Sequence, residues 1–183
     1  MHLGLIHLYT GDGKGKTTAA WGLVLRAAGQ GLRCCVVQFM KSCPQGGEAR
    51  AWRQWLRQAG VELRQFARQA KEGERWAWVD PKNVLPEDRA AAEEGLAYAR
   101  QAVNSGQFDL VVLDEIAVAV DWGLLEEERI LQLLRERPRG VEMVLTGRGA
   151  SARLVAAADL VTEMKAVKHP MDSGVRARAG IEY

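Results

Sequence analysis

The chain has 183 residues, enough for one domain with a substantial core. Its net charge of only +2 and its hydrophobic content of 48% exclude a strongly basic, nucleic-acid-binding class and are ordinary for a globular protein. No apolar run approaches the roughly 20 residues that a membrane span needs, and the short apolar start is no signal peptide. The three cysteines are sparse, and the adjacent pair Cys34 and Cys35 would point to opposite faces of a strand, so we expect unpaired thiols in a reducing cytoplasm.

Apolar, strand-like segments alternate with helix-like segments along the whole chain. The predicted strands are 5–9, 32–39, 61–66, 108–113, 141–146 and 160–164. The predicted helices are 17–29, 47–60, 86–104, 124–137 and 151–158. Such alternation predicts a single α/β domain over residues 1–183, with a mainly parallel sheet covered by helices on both faces. Ligands of such sheets bind at the carboxyl ends of the strands.

The first strand leads directly into a glycine-rich turn, and a helix follows it. This order is typical of a phosphate-binding P-loop, although Thr10 stands where the usual pattern has its first glycine. Inward-pointing N–H groups and the positive end of the helix dipole would hold an anion there. Lys16 would add a charge, and the Thr17 hydroxyl would ligate Mg²⁺. The predicted ATP-binding residues are Gly11, Asp12, Gly13, Lys14, Gly15, Lys16, Thr17 and Thr18. The alternative is a turn that binds nothing.

A second acidic signal follows the apolar strand 108–113. In P-loop proteins such a strand lies beside the first strand and brings a carboxylate to the Mg²⁺ near the loop threonine. We therefore expect Glu115 to be the direct or near-direct metal ligand and Asp114 to be secondary to it. The alternative is a solvated pair of carboxylates at a strand end.

Arg148 stands between Gly147 and Gly149 at the end of the strand 141–146. Both glycines would allow close backbone approach, and Arg148 would point at the phosphate site, where a guanidinium binds two oxygens at once. The alternative is a surface arginine in a turn.

Trp76 and Trp78 lie in a long segment, 67–85, that has neither helical nor strand periodicity. Residues two apart in an extended chain face the same way, so the two indoles would form one aromatic surface. Either they plug the core beneath the loop, or they form a movable hydrophobic cover. By contrast, Trp52 and Trp55 stand at helical spacing and are expected to pack in the ordinary way.

These features predict a Mg²⁺-dependent, nucleoside-triphosphate-using protein, and they leave open which bond of the nucleotide breaks. Beyond them, the sequence resembles the P-loop ATP:corrinoid adenosyltransferases, which make adenosylcobalamin. The resemblance covers nearly the whole chain, and the part after Thr146 is more specific than the P-loop. The matching segments are 10–20, 37–39, 111–115, 145–150, 158–164, 168–170, Asp172, Gly174 and 180–183.

The resemblance implies a P-loop NTPase-like (RecA-like) fold and transfer of the 5′-deoxyadenosyl group of ATP to corrinoid cobalt(I), with release of triphosphate. The catalytic residues would be Lys16, Thr17, Glu115 and Arg148, and they would neutralise charge on the leaving oxygen. No general base would be needed, because cobalt(I) is the nucleophile.

On the corrinoid side, the resemblance implies that Trp76 and Trp78 press on the corrin face and displace the lower cobalt ligand. Here Arg75 and Trp76 replace the Gly and Phe of the family's Gly-Phe-x-Trp stretch, so we expect this bulkier surface to alter which corrinoid fits. Lys168 and His169 are candidates for contacts with the corrinoid or with a partner chain, against a structural role.

The family also implies a homodimer and, as a further partner, a flavin-type reductase. Many members carry an N-terminal extension over the partner's pocket. Since this sequence begins at its first strand, we expect that cover to be absent or supplied otherwise.

Two alternative hypotheses for the function remain. One is a phosphotransferase, such as a nucleoside kinase, and the other is a non-enzymatic nucleotide switch or corrinoid-binding module.

Overall fold

The computed structural model describes residues 4–70, 77 and 79–182, and six strands and six α-helices lie within them. The strands are β1 (Ile6–Thr10), β2 (Cys34–Phe39), β3 (Val61–Phe66), β4 (Leu110–Asp114), β5 (Glu142–Thr146) and β6 (Leu160–Glu163). The helices are α1 (Lys16–Gly29), α2 (Gly47–Ala51), α3 (Pro86–Asn104), α4 (Ile116–Asp121), α5 (Glu127–Glu136) and α6 (Ala152–Ala157). A π-helical stretch, Trp52–Leu56, continues α2, and a 3₁₀ helix covers Pro170–Ser173.

The strands form one sheet in the order β3-β2-β4-β5-β1-β6, and every neighbouring pair is parallel. The predicted α/β architecture is therefore confirmed. The expectation that the Asp-Glu strand lies beside the first strand is wrong, because β5 lies between β4 and β1. Consequently β4 is not hydrogen-bonded to β1, and the carboxyl end of β5 lies beside that of β4.

Alternating strand residues build a core on each face of the sheet. Cys34 and Val36 pack with α1 residues such as Val24, whereas Cys35 and Val37 pack on the face covered by α3, α4 and α5. This alternation also keeps the two buried thiols apart, and both are free, as the sequence predicts. Burial raises the pKa of Cys34 to about 11 and that of Cys35 to about 12, so both stay protonated at neutral pH.

The helix boundaries depart from the sequence prediction in three places. The predicted helix 124–137 begins only at Glu127, and the predicted helix 47–60 changes from α to π at Trp52. α4 was not predicted at all, because five of its six residues are apolar and the segment is too short to show a helical period. Trp52 packs as expected, and its indole N–H donates to the Val61 carbonyl, but Trp55 is 64% exposed.

None of the helices in the described ranges combines the length and apolar character of a membrane span.

Candidate active site

The loop between β1 and α1 carries the predicted phosphate-binding residues. Gly15, the N-cap of α1, has φ +119°, a conformation that glycine adopts readily, and it has no side chain to cover the first-turn N–H groups. The Lys16 ammonium bends back over the loop and donates to the carbonyls of Gly11, at 2.5 Å, and Gly13, at 2.8 Å. Burial lowers the pKa of Lys16, while Glu115 opposes that shift and Arg148 adds to it. The loop therefore presents backbone N–H groups and one concentrated positive charge.

The chain after β6 forms the wall of this loop. Gly13 N–H donates to the Met164 carbonyl at 2.7 Å, and a Cβ on Gly13 would come within 2.8 Å of that carbonyl oxygen. The Lys14 ammonium donates to the Ile181 carbonyl at 3.0 Å and pairs with Glu182 at 3.3 Å. Residues from the two ends of the sequence thus meet at one phosphate-binding loop.

Asp114, at the carboxyl end of β4, is the centre of a hydrogen-bond network and is only 1% exposed. Its Oδ1 accepts from the hydroxyls of Thr17, at 2.9 Å, and Thr146, at 2.7 Å. Its Oδ2 accepts from the Gln38 amide at 2.9 Å and from the Lys41 ammonium at 2.6 Å. Burial opposes ionisation, but Lys41 and the other donors hold the pKa of Asp114 below its usual value.

Glu115 directly follows Asp114 in the sequence and is the N-cap residue of α4. Its φ of +66° is left-handed, which is rare for a residue with a side chain, and its N–H donates to the Thr146 hydroxyl at 2.8 Å. Burial raises the pKa of Glu115; Asp114 adds to the shift, and Lys41, Lys16 and Arg148 oppose it. A half-buried carboxyl that lines the pocket is well suited to face a cation or a polyphosphate-bound metal.

Arg148 follows β5 and reaches the same pocket. The two glycines beside it allow the close approach that the sequence predicts, and the element that approaches them is α4. A Cβ on Gly147 would come within 2.8 Å of the Val118 nitrogen, and one on Gly149 within 2.6 Å of the Asp121 carboxyl carbon. Close packing of α4 on this turn therefore requires a residue without a side chain on either side of Arg148.

These elements enclose a pocket of about 480 Å³ at the carboxyl edge of the sheet. The lining of this pocket is mainly polar and charged. It comes from the P-loop, the segment after β2, the ends of β4 and β5, and the C-terminal tail, residues 164–182. The lining residues are Asp12, Gly13, Lys14, Gly15, Lys16, Thr17, Thr18, Lys41, Gly47, Glu48, Glu115, Arg148, His169, Gly180, Ile181 and Glu182. The predicted set Lys16, Thr17, Glu115 and Arg148 therefore converges on one cavity.

Three polar residues in or beside the pocket were missed by the sequence prediction. Lys41 and Gln38 belong to the end of β2 and the segment after it, and Thr146 is the last residue of β5. All three contact Asp114. The available signal was positional, since each is a polar side chain directly at the carboxyl end of an apolar strand.

The predicted corrinoid-side residues are only partly described. His169 lines the pocket, and its Nδ1 also accepts from the Met171 N–H, which caps the 3₁₀ helix. Lys168 is exposed and is absent from the pocket lining among the described residues. Trp76 and Trp78 lie outside the described residues.

The donor set fits a magnesium ion held mainly by nucleotide phosphates. Mg²⁺ prefers oxygen ligands and usually takes only one or two protein carboxylates. Thr17 and Glu115 offer a hydroxyl and a carboxylate on the pocket wall, with Asp114 behind them. A closed, all-protein cage is not formed, since no cluster of three or more His, Cys, Asp or Glu side chains suited to a metal occurs among the described residues.

Comparison with known proteins identifies the family. The family model for the ATP:corrinoid adenosyltransferase BtuR/CobO/CobP matches residues 2–183. The corrinoid adenosyltransferase of Escherichia coli K12 is 39% identical over 180 residues, which cover 98% of this chain and 86% of that protein. The enzyme of the same name from Pseudomonas aeruginosa is 36% identical, with 98% and 84% covered, and corrinoid adenosyltransferase CobA of Salmonella typhimurium is 36% identical, with 98% and 86% covered. The chain therefore belongs to the ATP:corrinoid adenosyltransferase family.

Proposed function

We propose that this chain transfers the 5′-deoxyadenosyl group of ATP to the cobalt(I) of a corrinoid and releases triphosphate, in the biosynthesis or salvage of adenosylcobalamin. The observation that carries the proposal is the family match over residues 2–183. A pocket in which the P-loop faces Glu115 and Arg148 supports it. We further propose that the enzyme acts in the cytoplasm, a reducing compartment in keeping with its free thiols.

The reaction is a substitution at the ribose 5′-carbon. Cobalt(I) donates an electron pair to this carbon and becomes cobalt(III) in the new cobalt–carbon bond. The bond from the 5′-carbon to the triphosphate oxygen breaks, and its electron pair leaves with triphosphate. No proton moves, so the protein's task is to hold two substrates in line and to stabilise charge on the leaving group.

The cations of the pocket serve the leaving group in this proposal. The loop Gly11 to Thr18 would hold the phosphates through backbone N–H groups other than that of Gly13, which donates to the Met164 carbonyl. The Lys16 ammonium would turn to the phosphates from the carbonyls of Gly11 and Gly13. Arg148 would bind phosphate oxygens from the opposite wall.

We propose that Thr17 and Glu115 ligate Mg²⁺ and that Asp114 acts from behind. Bound Mg²⁺ would supply a further positive charge at the leaving phosphate oxygens. The support for a secondary Asp114 is that its two oxygens already accept from Thr17, Thr146, Gln38 and Lys41. Glu115 lines the pocket directly.

For the corrinoid we propose Trp76 and Trp78 as an aromatic surface and Lys168 and His169 as polar contacts. In support, His169 lines the nucleotide pocket, so a corrinoid beside it would meet the ribose.

Trp78→Ala should impair the reaction started from cobalt(II) more than the reaction started from chemically prepared cobalt(I). The reason is that Trp78 is proposed to displace the lower cobalt ligand, and loss of that ligand makes cobalt(II) easier to reduce. Equal losses in both assays would mean that Trp78 only packs. A homodimer and a flavin-type reductase complete the proposal as partners.

The deciding experiment is an anaerobic assay with ATP, Mg²⁺ and chemically reduced cobalamin. The corrinoid spectrum and the phosphate products are followed together. We expect the cobalt–carbon product and one triphosphate per adenosyl group. Formation of ADP or phosphate without a spectral change would contradict adenosyl transfer and favour a phosphotransferase.

A further inference from the structure

Lys41 contacts two residues of the proposed metal site, yet adenosyl transfer as described gives it no role. Its Nζ donates to Asp114 Oδ2 at 2.6 Å and to Thr17 Oγ1 at 3.0 Å. Its side chain is 30% exposed and also lines the pocket. Lys41 thus lies between the buried carboxylate and the cavity.

The carboxylate of Asp114 needs a positive partner where it lies. It is 1% exposed, and an ionised carboxylate buried without a counter-charge is strongly destabilising. Thr17, Thr146 and Gln38 offer it only neutral donors. Of the groups that contact Asp114 in the described part of the chain, Lys41 is the cation.

The oxygens that Lys41 binds belong to the group expected to face Mg²⁺. The Lys41 ammonium lies 3.0 Å from the Thr17 hydroxyl and 2.6 Å from Asp114, so a divalent cation binding either oxygen from the pocket would compete with it. A cation at that point and the Lys41 ammonium would also repel each other. The two therefore exclude one another.

Lys41 has the means to move. It follows Met40, whose φ is +56°, in the segment between β2 and α2, and its unbranched stem ends in three rotatable donors. Rotation of the side chain alone carries the ammonium from Asp114 into the cavity it already lines, where Lys16 and Arg148 also face. A polyphosphate there would accept it.

We propose that Lys41 is the exchangeable cation of this site: its ammonium neutralises Asp114 until a divalent cation arrives with ATP, and it then turns to the polyphosphate. The inference rests on the proposed Mg²⁺–ATP site. When triphosphate leaves with the metal, Lys41 returns, so the buried carboxylate is paired at both ends of the cycle. Lys41 is thus a positioning residue that couples metal entry to phosphate binding.

The test is Mn²⁺ binding to the purified chain without nucleotide or corrinoid, followed by electron paramagnetic resonance of the free ion. Lys41→Gln keeps an N–H donor for Asp114 and removes the competing charge, so we expect Mn²⁺ to bind at least tenfold more tightly than to wild type. The matched control is Lys82→Gln at an exposed lysine, which should leave the affinity unchanged. Adding Asp114→Asn to Lys41→Gln should abolish the gain.

A second variant keeps the inference testable if Lys41→Gln does not fold. In Lys41→Arg the planar guanidinium can hold both the carboxylate and the hydroxyl, so we expect Mn²⁺ to bind at least threefold more weakly than to wild type. Equal Mn²⁺ affinity of wild type and either variant would overturn the inference. The Mn²⁺ test measures no turnover. Failure of the chain to adenosylate cobalamin would therefore refute the proposed function without deciding whether Lys41 competes with a divalent cation.

Discussion

A single hydroxyl, that of Thr146, links the two acidic residues of the site. It donates to Asp114 Oδ1 at 2.7 Å and accepts from the Glu115 N–H at 2.8 Å, and the residue is fully buried. β5 separates β4 from β1, and its last residue, Thr146, lies beside Asp114, whose Oδ1 Thr17 of the P-loop also reaches directly. Thr146 therefore fixes both the rotamer of one carboxylate and the unusual backbone of the other.

Thr146→Val keeps the shape of the side chain and removes the hydroxyl. It leaves the Glu115 N–H without its acceptor, so we expect a loss of about 1–3 kcal/mol in the free energy of unfolding. Denaturant unfolding measures this loss, and Thr146→Ser is the control that retains the hydroxyl. A Thr146→Val variant as stable as wild type would show that the network contributes nothing to stability.

Lys16 is the residue on which the loop assignment depends most directly. Lys16→Ala removes a charge aimed at the leaving phosphates, so we expect kcat/KM for adenosyl transfer to fall on the order of 10²-fold or more. The exposed Lys82→Ala should leave kcat/KM unchanged. Turnover of Lys16→Ala close to wild type would contradict the assignment of the loop.

Among the structural elements, the C-terminal tail contributes most unexpectedly to the site. Gly180, Ile181 and Glu182 line the pocket, and Lys14 holds them through a carbonyl and a carboxylate. Glu182 also accepts from the Arg178 backbone and guanidinium. The tail is thus attached to the P-loop chiefly by charged, exposed contacts.

We expect Glu182→Gln to loosen this attachment. The Arg178 guanidinium and backbone N–H, with Lys14, lower the pKa of Glu182 from 4.5 to about 2. Because the pKa is lower in the folded chain, the contribution of the carboxylate is complete above pH 4.5 and disappears as the pH falls through 2. Amide hydrogen exchange of residues 178–182 should therefore be faster in Glu182→Gln at pH 7, and the difference should shrink as the pH approaches 2. An equal exchange rate at pH 7 would contradict the attachment.

The strand-to-loop elements were predictable because the chemistry sits at strand ends. The P-loop, Glu115 and Arg148 each follow an apolar run, and parallel strands bring such ends to one edge. The strand order was not predictable in this way, since local patterning does not say that β5 inserts between β4 and β1. Lys41 was missed for a related reason: its pairing with Asp114 joins residues 73 apart in sequence.

At the scale of the whole molecule, the nucleotide pocket joins segments from most of the sheet. Lining or supporting residues come from the P-loop, from β2, β4 and β5, and from the C-terminal tail. A ligand that binds only the folded chain stabilises it by mass action, by about 2.7 kcal/mol at a hundredfold excess over Kd. For this pocket such stabilisation would act on the entire fold.

Mg²⁺–ATP at a hundredfold excess over its Kd should therefore raise the unfolding midpoint by about 5–10 °C, taking roughly 2–4 °C per kcal/mol for a chain of this size. Differential scanning fluorimetry measures the shift. Lys16→Ala at the same nucleotide concentration should show a much smaller one. A wild-type midpoint insensitive to Mg²⁺–ATP would contradict the nucleotide site itself.

The parallel α/β architecture was predictable from the sequence, but the return of the C-terminal tail to the P-loop was not. Alternating apolar strands and helices suffice to predict a parallel α/β sheet, and all six strands were located to within a few residues. The exposed tail after β6 has no periodicity, so its return to the P-loop could not be inferred from pattern. The opposite charges of Lys14 and Glu182 are the sign of that contact in the sequence, but many other opposite charges in the chain could pair equally well.

The meeting of Lys14 with Ile181 and Glu182 also has a consequence for how the protein is made. Translation delivers the P-loop first and its wall last, with β6 pairing to β1 only near the end. Until that wall has been synthesised, the glycine-rich loop lacks one side of the nucleotide pocket. The pocket is therefore complete only once residues 181 and 182 have reached Lys14, long after the loop itself has been made.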